Sequence, residues 1–228
     1  MTRAGAPRVC LFDVNETLLD MGALDPLFER TFGDRSVRAQ WFDAMLQSAL
    51  VSIVTGRYQE FGAAGLAGLE MIARRRGVEL SDEHRSELKT AMQCLPPHPE
   101  VRTALKRLRD AGLRLATLTN STPEVAEAQL ANAGLSDLFE AGFSAHEVRR
   151  LKPAPEPYLM AADALGARVG EVRLVAAHSW DIAGALSAGL EAAFVARPGK
   201  VLDPSVDGPG IIGSDLDEVG AKIMEADL

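Results

Sequence analysis

"FDVNETLLDM", residues 12–21, takes an apolar run, Val9-Cys10-Leu11-Phe12, straight into an acid. A carboxylate at the end of a short apolar run stands where a buried parallel strand reaches the rim of its sheet, and open α/β sheets hold their ligands at that rim. Asp13 is there as a nucleophile, a metal ligand or an ordinary strand-ending acid. Residues elsewhere in the chain have to choose among these.

Outward from this stretch, three more runs read as strands: residues 113–118 in "LRLATLTN", 172–176 in "VRLVAAHSWD" and 192–195 in "AAFVARP". Helical patterns separate them. "PEVRTALKRLRDAG" sets Val101, Leu105 and Leu108 on one face and stops at Gly112. "STPEVAEAQLANAG" opens on capping residues and stops at Gly134, and "PEPYLMAADALG" and "DIAGALSAGL" follow the same plan. This alternation predicts an α/β protein with a Rossmann-like parallel-sheet core. Residues 20–96 break the rhythm with "LDPLFERTFG", "RAQWFDAMLQSALV" and "FGAAGLAGLEMIARRRG", and "LPPHPE" marks the return. The predicted organisation is a core of residues 1–19 and 97–228 with a helical cap at 20–96. Gly62, Gly65 and Gly68 lack the lysine and the strand-to-helix setting of a phosphate loop, and are expected to allow close helix contact.

Composition narrows the functions. Hydrophobic residues are 47% and charged residues 25%, an ordinary globular balance that excludes disorder. A net charge of -8 argues against nucleic acid as a partner. No run approaches the roughly 20 apolar residues of a membrane span, and residues 1–8 lack an apolar leader, so a cytoplasmic location is expected. Cys10 and Cys94 are expected to be reduced thiols, and His84, His98 and His146 make no metal signature.

Four polar groups fall at the predicted rim: Asp13 with Asn15 and Thr17; Thr119, Asn120 and Ser121; Lys152 and Tyr158 in "RRLKPAPEPY"; and His178, Ser179 and Asp181. In this order, "FDVNETLLD", "TLTNSTP", "KPAPEPY" and "AAHSWD" resemble the haloacid dehalogenase superfamily, in particular its type II (L-2-haloacid) branch, over nearly the whole chain. The resemblance implies that Asp13 attacks carbon and forms an ester that water then opens. It implies that Lys152 keeps that carboxylate ionised, that Asp181 pairs with Lys152 or positions water, and that Thr17, Thr119 and Asn120 donate to carboxylate or substrate. His178 and Trp180 would stand close to the substrate, and Tyr158 would be a ligand contact or core. The expected substrate is a small 2-substituted carboxylate. No metal or organic cofactor is expected, and a homodimer would pack partly through "ALVSIV".

The sequence departs from the family in two places. Superfamily phosphatases have a second Asp two residues after the nucleophile, and Asn15 there supplies neither proton nor charge, which disfavours phosphatase chemistry. Type II dehalogenases carry a halide-receiving arginine after a tryptophan, where this chain has Phe42. Asn120 alone, or Arg38 one turn earlier, would have to replace it. Taken at face value, Phe42 suits a cationic leaving group, as in the related L-azetidine-2-carboxylate ring-opening hydrolases. A non-catalytic small-ligand binder is the alternative from another class, and it sits poorly with Asp13 and Lys152 retained together.

Overall fold

The computed structural model describes residues 7–228. The expected absence of an apolar leader therefore falls largely outside the described residues.

Six strands form one parallel sheet in the order β3-β2-β1-β4-β5-β6: β1 Val9–Phe12, β2 Arg114–Thr119, β3 Ala141–Ser144, β4 Val172–Ala176, β5 Glu191–Val195 and β6 Ile211–Gly213. β1 lies inside the sheet and all four of its residues are buried, which is why it reads as unbroken apolar sequence. Because strand side chains alternate, Cys10 and Phe12 enter one apolar cluster and Val9 and Leu11 the other. Burial, with Asp227 nearby, pushes the Cys10 thiol up to about 12, so it is an inert core group.

Four helices leave the core after β1: α1 Asp25–Phe32, α2 Val37–Thr55, α3 Phe61–Arg76 and α4 Asp82–Gln93. The rest cover the sheet: α5 Val101–Asp110, α6 Pro123–Asn132, α7 Pro155–Ala164, α8 Ser179–Ser187 and α9 Leu216–Asp227. Glycines bring α2 and α3 together. A Cβ on Gly65 would lie 3.3 Å from Met45 Sδ, and one on Gly68 would lie 3.3 Å from the Met45 backbone nitrogen. Trp41 Nε1 donates to the Gly65 carbonyl at 2.7 Å across this seam. Gly65 and Gly68 thus serve helix contact, while a Cβ on Gly62 would meet open space. On α2, Leu50, Val51 and Val54 of "ALVSIV" are exposed. No described helix is long and apolar enough to cross a membrane.

Trp41, Phe42 and Phe61 share one apolar cluster with Phe12, Val14 and Leu18, so the helices after β1 are joined to the sheet by a continuous core. That places side chains of α2 and α3 over the carboxyl ends of β1 and β4. The strand order reverses between these two strands, which is the ligand crevice of an open α/β sheet.

Candidate active site

Asp13 follows β1 directly, and its backbone nitrogen donates to the Val175 carbonyl of β4 at 3.0 Å, which fixes the acid between the two strands. Its side chain is 7% exposed, so its charge must be answered locally. Lys152 Nζ answers it. The ammonium is fully buried and spends its three protons on Asp13 Oδ1 at 2.9 Å, Asp181 Oδ2 at 2.7 Å and the Leu118 carbonyl at 2.8 Å. Thr17 donates to Asp13 Oδ2 at 2.7 Å and accepts from the Ala177 backbone nitrogen at 2.9 Å, which ties the loop after β1 to the end of β4.

Burial opposes ionisation of Asp13, but Lys152, His178 and Thr17 outweigh it and hold the carboxyl well below its ordinary range. Burial likewise opposes the Lys152 charge, and Asp13 and Asp181 raise its pKa. Asp181 is pushed up, first by burial and then by the nearby Asp13 charge, against the pull of Lys152. Its Oδ1 accepts from the Tyr158 hydroxyl at 2.5 Å. Tyr158 is fully buried in the second cluster, and burial with Asp181 beside it drives its pKa up, so of its two expected roles it fills that of core residue and partner to Asp181.

His178 lies on the other side of Asp13. Nε2 is 2.8 Å from Glu16 Oε2, and Nδ1 is 3.3 Å from Asp13 Oδ2, off the line of a proper hydrogen bond, so it is a buried nitrogen without an aligned partner. The ring is held between Phe42, at 5.6 Å between centroids, and Trp180, at 5.2 Å. Burial works against an imidazolium, but Asp13 and Glu16 raise the His178 pKa above its ordinary 6.5. Glu16 is pulled down to about 2 by His178 and Lys200 despite its burial. Lys200 bonds Glu16 and stands 5.4 Å over the Phe42 ring, while Arg38 reaches Glu16 at 3.5 Å and Asp25 at 2.5 Å.

Asp13, Asn15, Phe42, Thr119, Asn120, Lys152, His178 and Trp180 line one small cavity with Phe61. Thr17, Tyr158 and Asp181 stand behind its wall. Asn120 lines the cavity and also holds the loop that carries Lys152. Its amide accepts from the Lys152 nitrogen at 2.7 Å and donates one N–H to the Lys152 carbonyl at 3.3 Å, which leaves its second N–H for a ligand. Arg38 is tied to carboxylates and does not replace the missing arginine at the cavity. Thr119 Oγ1 accepts from the Ser121 nitrogen at 3.2 Å, and Asn15 accepts from Gln129 at 2.9 Å. Sequence reasoning missed Glu16, Lys200 and Gln129. An acid within the quoted motif and a lysine after "ARPG" were the available signals for the first two. The donors do not suit a magnesium ion: Lys152 and Thr17 occupy the Asp13 oxygens, and Asn15 brings no charge.

A buried acid paired with a lysine, at the switch point of a parallel sheet, has counterparts. Residues 7–189 match the family model of haloacid dehalogenase-like hydrolases. The chain is 30% identical over 192 residues to an (S)-2-haloacid dehalogenase of Xanthobacter autotrophicus, covering 83% of this chain and 75% of that protein. It is 30% identical over 194 residues to an (S)-2-haloacid dehalogenase of Pseudomonas sp. (strain YL), covering 84% of each. The solved L-2-haloacid dehalogenase of Xanthobacter autotrophicus superposes with a TM-score of 0.88 at 25% identity, over 95% of this chain and 98% of that one. Motif order, sheet topology and these matches together mean that the chain belongs to the haloacid dehalogenase-like hydrolases.

Proposed function

We propose that this protein is a 2-haloacid dehalogenase of the (S)-2-haloacid type that forms an ester on Asp13, with residues 20–96 as the cap over the site. The observation that carries this reading is the buried line Asp13–Lys152–Asp181. Three ion-pairing groups are removed from water so that one carboxylate stays ionised and faces a cavity.

Asp13 Oδ1, bonded to Lys152, attacks the α-carbon. The carbon–halogen bond breaks, the halide leaves with the electron pair, and the carboxylate becomes a neutral ester. Residue 42 offers no cation to the leaving anion. Trp180 Nε1 is buried in the cavity wall without a partner, and its N–H takes that role. Esterification removes the Asp13 charge that helps hold the proton on His178, which then passes to solvent with the departing halide. Neutral His178 Nδ1 next takes a proton from water as its oxygen bonds to Asp13 Cγ. The alkyl oxygen takes that proton from His178 as the ester collapses, which frees the 2-hydroxy acid, and the second proton of the water passes from the re-formed Asp13 carboxyl to His178, restoring the carboxylate and the imidazolium. Glu16 orients the imidazole throughout.

The ring-opening alternative needs a free aromatic face for a cationic amine. Phe42 is already stacked on His178 and approached by Lys200, which favours halide over amine. The test is halide release from (S)-2-chloropropionate, with L-azetidine-2-carboxylate and p-nitrophenyl phosphate in parallel. Wild type is expected to release chloride, and Asp13→Asn to release none while keeping its fold. Ring opening or phosphate release without chloride would overturn the reading.

A further inference from the structure

Two cavities lie side by side beneath α2 and α3. The one over Asp13 is about 10 Å³, room for about one water. The other is about 320 Å³ and lies between the helices after β1 and the start of α6, with Trp41, Met45, Leu66, Met92 and Val125 among its apolar walls. Phe61 lines both. The remaining partition is thin, since Asn15 faces the small cavity and approaches Ser121 Oγ, which faces the large one, at only 3.5 Å.

A substrate whose α-carbon lies against Asp13 has to send the rest of its carbon chain somewhere. Toward the sheet, the way is filled by Lys152, Asp181 and Tyr158, all 0–1% exposed. Toward α2, the Phe42–His178–Trp180 stack closes it. Past Phe61 there is apolar space at the lower end of the range for small-molecule sites. Phe61 is the first residue of α3, directly after the loop at 56–60.

We infer that the larger cavity is a subsite for the substrate's carbon chain, and that the enzyme takes 2-substituted carboxylates with an apolar arm several carbons longer than propionate, Phe61 being the partition that yields. The assignment rests on the proposed reaction for the placement of the α-carbon, but binding tests it without turnover.

The experiment titrates the full-length protein with unreactive propionate, butyrate, hexanoate and octanoate, and measures kcat/KM for the corresponding 2-chloro acids. Affinity is expected to climb by up to about fourfold per methylene, the worth of burying a CH₂. Val125→Trp and Leu66→Trp fill the cavity from opposite walls, so either one keeps the test alive if the other fails to fold. Both are expected to flatten the series and to lower the ratio of kcat/KM for 2-chlorooctanoate over 2-chloropropionate. Equal affinity for propionate and octanoate, or a series that survives both variants, would overturn the subsite. A binding series with no chloride from any chloro acid would leave the subsite standing and remove the proposed reaction.

Discussion

Glu16 holds a left-handed backbone angle, φ 62°, which costs a residue with a side chain on the order of 1–2 kcal/mol. Glycine would adopt it freely, so the glutamate is there for its carboxylate, which meets His178, Lys200 and Arg38. In the proposed mechanism this makes His178 the base of the second step and Glu16 its positioning partner. His178→Asn is expected to lower kcat by about a hundredfold or more while still releasing about one equivalent of chloride, with the Asp13 ester accumulating in the intact-mass spectrum. Undiminished steady turnover would remove His178 from the reaction. Glu16 raises the His178 pKa, so Glu16→Gln lowers it and moves the acid limb of kcat to lower pH. An unmoved limb would leave Glu16 with a structural task only. Lys152→Ala should cost more than either, since it unpairs two buried carboxylates at once; halide release near the wild-type rate would contradict the proposed reaction. Asp13, Lys152 and Asp181 were legible because each stands at a fixed place in an ordered motif. The roles of Glu16 and Lys200 were not, since they depend on a histidine 162 residues from the glutamate.

Single elements show the same split between what local sequence encodes and what packing decides. β1 and β4 were readable to the residue because both are wholly buried and, apart from Arg173, whose charge is paired with Asp227, apolar. β3, "AGFS", is an edge strand with one buried residue and a glycine, and β6 has only three residues, so neither carries a pattern. α4 buries only Leu88, and its start is marked by the Ser81 cap instead of an apolar stripe. α8 makes a sharper prediction. A Cβ on Gly184 would come within 2.6 Å of both Pro153 Cβ and the Tyr158 hydroxyl. Gly184→Ala is therefore expected to displace Tyr158 from Asp181 and to lower both the melting temperature and kcat, although residue 184 touches no substrate. Unchanged values for both would show that α8 can shift without disturbing Asp181.

Across the whole molecule, the site couples stability to pH with opposing signs. Asp13 and Glu16 are depressed from 3.8 and 4.5, so their contribution is present above those values and is lost as pH falls through their folded pKa values, about 2 for Glu16. His178 is raised from 6.5, so its contribution is complete below that value and is lost as pH rises through the folded pKa. His98 is lowered, chiefly by burial, and contributes with the opposite sign, so the clean readout is a difference between proteins. The melting temperature of wild type is expected to fall relative to that of His178→Asn as pH rises from 6.5, and parallel curves would deny the charged imidazole. The connection of Lys152 to Asp13, 139 residues apart, has a further consequence during synthesis. Asp13 is made early, yet it remains an ordinary solvated acid until the lysine, and then the aspartate 29 residues beyond it, have left the ribosome and closed long loops. In the proposed mechanism a nascent or truncated chain thus carries Asp13 without its chemistry, and alkylating reagents that mark the buried carboxylate would report completion of the fold, not the mere presence of the residue.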